Sequence, residues 1–168
     1  MAKPERGMMY QPRIGDYGVV KTNGILARLI QVGTISRWNH AFIFIGNGKI
    51  VEAKPRGVVV SPVTDYSLIA WNKHETFTDV QGKVIASYAL GQVGKPYDFL
   101  IIAILTLRIL GLKALANNRF LHKLAQKDGY ICSELVAEAY AWGGIPISKG
   151  APDLCTPGDL AERLVYGD

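Results

Sequence analysis

The chain has 168 residues, of which 49% are hydrophobic and 20% are charged. This composition supports a hydrophobic core, and it excludes a disordered chain and a collagen-like or disulfide-stapled architecture. The formal net charge is +5, and residues 95–127 hold six basic side chains and one acidic side chain, so the whole excess lies in that segment. The sequence shows no repeat, low-complexity tract or linker, which predicts a single domain spanning residues 1–168.

The number and spacing of cysteines and histidines argue against a metal-binding protein. Cys132, Cys155 and three scattered histidines show no zinc-ligand spacing, so we expect neither a structural metal nor a cofactor. Residues 1–13 contain charges and prolines but no apolar run before a cleavage site, so no secretory signal is predicted. The apolar run at residues 99–107 is shorter than the roughly 18 residues that a membrane span needs. The cellular location stays open.

The first half of the chain carries patterns typical of β-strands. Short runs rich in β-branched and aromatic residues occur at residues 17–21, 40–45, 50–53, 58–60 and 75–80. The second and third runs flank Gly46-Asn47-Gly48, a hairpin signature, and the others are expected to extend the same antiparallel sheet. One helix is expected among these strands, at residues 24–32.

The second half changes to helical periodicity. Apolar residues recur at helical spacing in five segments, at residues 84–92, 99–116, 120–126, 132–142 and 157–165. A run of strands followed by a run of helices is typical of an α+β fold and disfavours parallel βαβ units. We therefore predict an α+β domain in which an antiparallel sheet packs against a helical half.

Cys132 begins the helix predicted at residues 132–142, directly after a loop that ends at Gly129. A thiol in the first turn of a helix lies near unpaired backbone amides and the positive dipole end, which stabilise the nucleophilic thiolate. The same amides can hold the oxyanion of a tetrahedral intermediate. A lone cysteine there also fits a small hydrophobe on a buried core helix, and the sequence leaves both interpretations open.

His40 is the histidine best placed to act as a base for such a thiol. It opens a strand, where a sheet can fix its ring, whereas His74 lies in a polar loop and His122 on a basic amphipathic segment. A catalytic histidine also needs an orienting partner on its other ring nitrogen. Glu52, on the second strand of the hairpin, is the candidate for that partner.

The hairpin register decides whether Glu52 can reach His40. A two-residue turn at Asn47-Gly48 pairs Glu52 with Ile43 and sends the carboxylate to the face opposite His40. A three-residue loop with a bulge pairs Glu52 with Phe42 instead, which makes Glu52 a diagonal neighbour of His40 on one face. Without such a contact, Glu52 is an ordinary solvated strand carboxylate.

These segments together resemble the NlpC-type superfamily of papain-like cysteine peptidases. Four blocks are similar to the signature ahead of the catalytic cysteine, the cysteine helix, the loop after it and the histidine hairpin, at residues 94–97, 132–136, 143–148 and 40–49. The third polar residue of the family follows the histidine by twelve positions, as Glu52 follows His40. The matching blocks cover roughly residues 14–66 and 85–148.

The order of the blocks points to one branch of this superfamily. Because the histidine block precedes the cysteine block, the chain resembles the circularly permuted, YiiX-like branch, which is related to lecithin retinol acyltransferase-like proteins. The resemblance implies a permuted papain-like fold in which Cys132 is the nucleophile, His40 the general base and acid, and Glu52 the orienting residue. It also implies that Tyr97 lies near the nucleophile, in contact with substrate or the oxyanion.

Residues 99–127 form an insertion between the similar blocks. Residues 99–107 are apolar on every helical face, which is typical of a buried core helix. The alternative is a helical flap that docks on an anionic membrane or cell-wall surface, with the basic residues facing head groups. A nucleic-acid partner is not expected, because the interleaved aromatic residues of a stacking platform are absent from this segment.

The leading hypothesis is therefore a cysteine hydrolase, an amidase or peptidase, that cleaves an acyl bond through Cys132, His40 and Glu52. The resemblance implies a peptidoglycan-type peptide amide as the substrate. The apolar and basic insertion favours an alternative, a lipid acyl hydrolase or acyltransferase at a membrane surface. A third hypothesis is a non-catalytic protein of the same fold that binds a membrane or partner through residues 99–127.

Overall fold

The structure is a computed structural model that describes residues 10–24, 36–73, 76–109, 111–112, 129–148, 150 and 152–166. The described residues form an antiparallel sheet of five strands and four α-helices, which confirms the predicted α+β class. The strands are β1 (Tyr17–Val20), β2 (His40–Gly46), β3 (Lys49–Lys54), β4 (Gly57–Pro62) and β5 (Ala70–Trp71). The helices are α1 (Asp79–Gly91), α2 (Phe99–Ile109), α3 (Cys132–Trp142) and α4 (Pro157–Tyr166). The strand order is β4-β3-β2-β1-β5.

The two faces of this sheet are covered differently. On the first face, which we call the helix face, buried strand residues pack against α1 and α3; they include Tyr17, Val19, Ala41, Ile43, Val51 and Ala53. On the second face, which we call the loop face, a smaller apolar cluster forms around Val20, Phe42 and Ile50. Side chains from residues 63–71 pack against that cluster. Successive strand residues alternate between the two faces, so adjacent residues of β2 enter different environments.

The β2–β3 hairpin contains the two-residue turn that was one of the two predicted possibilities. Asn47 and Gly48 form the turn, and Gly46 pairs with Lys49 on its two sides. Asn47 has φ 51° and Gly48 has φ 66°. A type I′ turn needs a positive φ at both central positions, and asparagine followed by glycine adopts that conformation most readily.

The hairpin nevertheless has the register predicted for the longer loop. Directly before the turn, pairing shifts so that Phe44 lies opposite Ile50, which leaves Ile45 as an extra residue in a β-bulge. Beyond the bulge, Phe42 lies opposite Glu52. The bulge therefore moves Glu52 onto the loop face, where Phe42 also lies.

The prediction of a strand at residues 75–80 is wrong. Within its described part, α1 begins at Asp79 with Thr78 as its N-cap. Thr78 Oγ1 accepts a hydrogen bond from the Gln81 amide at 3.2 Å, and Gln81 Oε1 accepts one from the Thr78 amide at 3.0 Å. This reciprocal capping box initiates a helix, and the spacing of Thr78 and Gln81 was the overlooked signal. The fifth strand is instead the short β5.

The other predicted elements fall into two groups. The structure contains the strands predicted near residues 17–21 and 58–60, and the helices predicted at 132–142 and 157–165 lie within one residue of α3 and α4. By contrast, residues 120–126 lie outside the described residues, as does the helix predicted at 24–32 apart from Gly24.

Helix α2 is the described beginning of the insertion. Asp98 caps it, because its Oδ1 accepts hydrogen bonds from the amides of Leu100 and Ile101 at 2.9 Å each. Ile101 and Ile104 are buried, whereas Phe99 is 53% exposed. The first turns of the insertion therefore contribute to the core. Within the described ranges, no helix combines the length and the apolar character needed to cross a bilayer.

Candidate active site

Cys132 is the first residue of α3, as the sequence predicted. Ile131 before it has an extended backbone, with φ −91° and ψ 162°, so the helix begins sharply at the cysteine. The Cys132 side chain is almost fully buried, and its thiol points at the carbonyl oxygen of Asn39, 4.0 Å from Sγ. Asn39 directly precedes β2. The helix start and the sheet therefore meet at the sulfur.

The segment before Cys132 is attached to the segment that contains Tyr97. The Tyr130 amide donates to the Pro96 carbonyl at 3.0 Å, and the Asp98 amide donates to the Tyr130 carbonyl at 3.1 Å. A Cβ at Gly129 would lie 3.0 to 3.2 Å from atoms of Asp98, so a larger residue there would crowd this pairing. The segment around Tyr97 thus lies beside the residues that lead into α3.

His40 is the first residue of β2, and its side chain lies on the loop face of the sheet. Its Nε2 is 2.6 Å from Oε2 of Glu52, which is fully buried. This contact is the diagonal one that the bulged register allows, because Glu52 faces Phe42 across the hairpin. Cys132 also lies near the imidazole, because it is one of the groups that raise the pKa of His40. The structure therefore brings Cys132, His40 and Glu52 together.

Electrostatics favour the charged form of His40. Burial lowers the pKa of the imidazole, but its interactions with Cys132 and Glu52 outweigh this effect and raise the pKa to about 9. With Nε2 engaged by Glu52, Nδ1 is the ring nitrogen left for the thiol. The imidazole can therefore hold a proton taken from sulfur.

Glu52 has further donors that the sequence analysis missed. Lys54 Nζ lies 2.7 Å from Oε1, and the Tyr66 hydroxyl donates to Oε2 at 2.5 Å. Burial raises the pKa of Glu52, but hydrogen bonds from His40, Lys54, Ser61 and Tyr66 lower it to about 2. The contact between Lys54 and Glu52 could have been predicted, because residues two apart on a strand share a face. Tyr66 follows a 3₁₀ turn, Val63–Asp65, and no spacing rule connects it to the hairpin.

Tyr97 lies close to the candidate nucleophile. Burial and the charges of Cys132 and Asp98 raise the pKa of its phenol. Its ring centroid is 4.9 Å from that of Phe99, which is the exposed first residue of α2. A role for Tyr97 in contacting substrate or the oxyanion stays a prediction.

Of the remaining cysteine and histidines, the structure describes only Cys155. Burial, with the nearby charges of Asp159 and Cys132, raises the pKa of the Cys155 thiol to about 12. The Cys155 carbonyl accepts a hydrogen bond from Ser133 Oγ at 2.6 Å. His74 and His122 lie outside the described residues. The described ranges contain no cluster of three His, Cys, Asp or Glu side chains suited to a metal ion.

Comparison with known proteins adds no assignment. No protein-family model matches the chain, and no curated protein matches it significantly. The functional interpretation therefore depends on the motifs and on the geometry of the cluster. A thiol, an imidazole and a carboxylate in this order form the arrangement by which a nucleophile is activated by a base and the base is held by a third group.

Proposed function

We propose that the chain is a cysteine hydrolase of the circularly permuted, NlpC-type papain-like class, in which Cys132, His40 and Glu52 act as a triad. One observation carries this proposal: His40 Nε2 lies 2.6 Å from Glu52 Oε2, and Cys132, at the start of α3, lies near enough to the imidazole to raise its pKa. A buried structural cysteine needs neither a histidine partner nor a helix N-terminus. Its presence beside both supports a catalytic role.

The first half of the proposed reaction acylates the enzyme. His40 takes the proton of the Cys132 thiol, and the sulfur attacks the substrate carbonyl carbon. The resulting oxyanion is stabilised by backbone amides in the first turn of α3. The tetrahedral intermediate then collapses, the carbon–nitrogen bond breaks, and the leaving amine takes the proton from His40.

The second half releases the product. His40 takes a proton from water, and the hydroxide attacks the thioester carbonyl carbon. The carbon–sulfur bond breaks, the product leaves as a carboxylic acid, and the proton on His40 returns to the Cys132 sulfur. Glu52 keeps the imidazole oriented and stabilises its charged form in both halves.

The proposed substrate is an amide bond in a peptidoglycan-type peptide, which the resemblance to the peptidase family supports. A lipid acyl substrate is the second candidate, and the position of Phe99 favours it. Phe99 is exposed and its ring centroid lies 4.9 Å from that of the buried Tyr97, so an aromatic pair reaches solvent at the start of the insertion. Docking of residues 99–127 on an anionic membrane or cell-wall surface would complement that second candidate.

The first prediction concerns the thiol itself. Replacement of Cys132 by Ala should abolish reaction with iodoacetamide at the active site and abolish turnover, while the far-UV circular dichroism spectrum is retained. Wild-type Cys132 should alkylate near neutral pH well before Cys155, because a thiolate paired with an imidazolium is the reactive species. Mass spectrometry of tryptic peptides measures each site separately.

Two variants complete this experiment. His40→Ala should slow alkylation of Cys132, whereas Cys155→Ser should leave it unchanged. Equal and slow labelling of both thiols in the native protein would instead favour the non-catalytic hypothesis. Incubation with a mixed pool of cell-wall peptides and phospholipids, followed by intact mass spectrometry, identifies the substrate class from the mass of the acyl group held on Cys132.

A further inference from the structure

Tyr66 touches the candidate triad from a part of the chain that carries no family motif. Its hydroxyl donates to Glu52 Oε2 at 2.5 Å, and His40 Nε2 contacts the same oxygen at 2.6 Å. One carboxylate oxygen therefore accepts from two donors at once. The second oxygen, Oε1, lies 2.7 Å from Lys54 Nζ and forms an ion pair with it.

The aromatic ring of Tyr66 is fixed by the loop face of the sheet. It stacks on Phe42, with ring centroids 5.2 Å apart and an angle of 18° between the planes. Its centroid is 5.7 Å from that of the His40 ring. Because Phe42 lies opposite Glu52 in the hairpin, the stacking also sets where the hydroxyl ends.

We propose that Tyr66 is a positioning residue of the candidate active site, whose hydroxyl holds Glu52 Oε2 against His40 Nε2 and whose ring limits rotation of the imidazole. This inference rests on the proposed function and adds a fourth residue to it. Tyr66 acts through Glu52 and His40, and it is not assigned any contact with substrate.

The charges around His40 fit this role. Among the described residues, three titratable side chains face His40: Glu52 on β3, Tyr66 after the 3₁₀ turn and Cys132 at the start of α3. Lys54 and Asp65 lie behind Glu52, because Lys54 Nζ forms ion pairs with Glu52 Oε1 and with Asp65 Oδ2. Burial and the neighbouring carboxylates raise the pKa of Tyr66, so its hydroxyl stays a donor throughout the working range. A donor that cannot ionise keeps Glu52 charged and aimed at the imidazole.

The test compares two tyrosine-to-phenylalanine variants of the full chain. Tyr66→Phe keeps the ring on Phe42 and removes only the hydroxyl. Tyr88→Phe is the matched control, because Tyr88 is also half-buried and its hydroxyl also donates to a glutamate, Glu138, at 2.5 Å. Both variants lose a similar hydrogen bond, so both should lose similar thermal stability.

Of the two variants, only Tyr66→Phe should change the pKa of His40. We expect the pKa of His40, measured by NMR titration of the ring protons, to fall by about one unit, which corresponds to about a tenfold change in proton affinity. The pH profile of Cys132 alkylation by iodoacetamide should shift in the same direction. Tyr88→Phe should leave both quantities at their wild-type values. An unchanged His40 pKa in a folded Tyr66→Phe variant overturns the proposal.

A wild-type measurement covers the case in which Tyr66→Phe does not fold. The Tyr66 hydroxyl proton should then be observed as a slowly exchanging downfield resonance with a nuclear Overhauser effect to the His40 ring, and its absence overturns the proposal.

The two proposals, the positioning role of Tyr66 and the hydrolase activity, can also fail separately. If wild-type Cys132 is unreactive but Tyr66→Phe still lowers the His40 pKa, the positioning contact stands and the hydrolase proposal fails. If Cys132 is reactive and the pKa does not move, the reverse holds.

Discussion

Two glutamates near Cys132, one on the sheet and one on the helix, have opposite electrostatic environments. Glu52 on β3 is fully buried, yet donors from four residues lower its pKa to about 2. Glu134 in the first turn of α3 is only half-buried, but burial raises its pKa to about 8. The Ile131 amide donates to it at 3.2 Å, which lowers the pKa, while the carboxyls of three neighbours raise it further; these are Glu138, Asp153 and Asp98.

The comparison shows that burial alone does not decide the charge of a carboxyl: hydrogen-bond donors outweigh burial at Glu52, whereas burial and neighbouring carboxyls act in the same direction at Glu134. Near neutral pH the sheet therefore presents a carboxylate to His40, while the carboxyl of Glu134 is largely protonated. The helix N-terminus next to Cys132 then retains its positive end for a developing oxyanion. The two regions thus divide the electrostatic work that the proposed reaction needs.

The largest effect is expected from removing the charge on the sheet. Glu52→Gln keeps the shape of the side chain but leaves His40 and Lys54 without a carboxylate. Because removing one partner from a buried ion pair is strongly destabilising, the free energy of unfolding should fall by about 3 kcal/mol. Alkylation of Cys132 should slow by about tenfold for each unit by which the His40 pKa falls.

Glu138→Gln provides the matched control for this variant. Glu138 also accepts hydrogen bonds from tyrosine hydroxyls, those of Tyr88 and Tyr130. The Glu138→Gln variant should have a lower free energy of unfolding in chemical denaturation but unchanged reactivity of Cys132. If Glu52→Gln and Glu138→Gln gave the same alkylation rate as wild type, the distinction between the two regions would be wrong.

An intermediate effect is expected from pH. The pKa of His40 rises from 6.5 to about 9 on folding, so its stabilising contribution is complete below pH 6.5 and is lost as the pH rises through 9. The pKa of Glu52 falls from 4.5 to about 2, so its contribution is complete above pH 4.5 and is lost as the pH falls towards 2. The pair should therefore stabilise the fold most between pH 4.5 and 6.5.

Urea unfolding of the wild type and of His40→Gln tests this window. The difference in unfolding free energy between the two proteins should be largest near about pH 5.5 and should shrink towards about pH 3 and about pH 9.5. A difference that is constant across the three conditions would show that His40 and Glu52 are not a charged pair in the folded protein.

The smallest effect is expected at Glu134. Its folded pKa lies above the unfolded value of 4.5, so wild-type stability should decrease as the pH rises from 4.5 through about 8. Glu134→Gln keeps an acceptor for the Ile131 amide and cannot ionise, so it should raise the free energy of unfolding above pH 8 by about 1 kcal/mol or less, since solvent screens a half-exposed group. Thermal melts at about pH 4 serve as the internal control, because the two proteins should agree there.

Some features of the site could be predicted from the sequence because they depend on local rules. The start of α3 at Cys132 follows from the helical spacing of its apolar residues after a glycine loop, and the Asn47-Gly48 turn follows from the positive φ that these residues adopt. The beginning of α1 was missed, although a capping box marked it at Thr78. A local sequence signal therefore marked the missed start of α1 as well as the features that were predicted.

Other features could not be predicted, because they depend on distant parts of the chain. The sequence allowed two registers for the hairpin, and the bulge at Ile45 selects one of them by shifting one strand past the other. Tyr66 was missed because its contact with Glu52 depends on how the loop before β5 folds back over the sheet. No periodicity in the sequence encodes such a loop.

The amino-acid sequence was enough to predict the fold class, the residue types of the candidate site and the two segments that carry them, because strand and helix patterns follow from side-chain alternation and spacing. The three-dimensional arrangement places Glu52 and His40 on one face and brings the Tyr66 hydroxyl and the Lys54 ammonium to the two oxygens of Glu52. It also decided that Glu134 is left beside other carboxyls. The physical reason is that charge states depend on which groups are brought within hydrogen-bonding distance, and sequence spacing does not fix those distances.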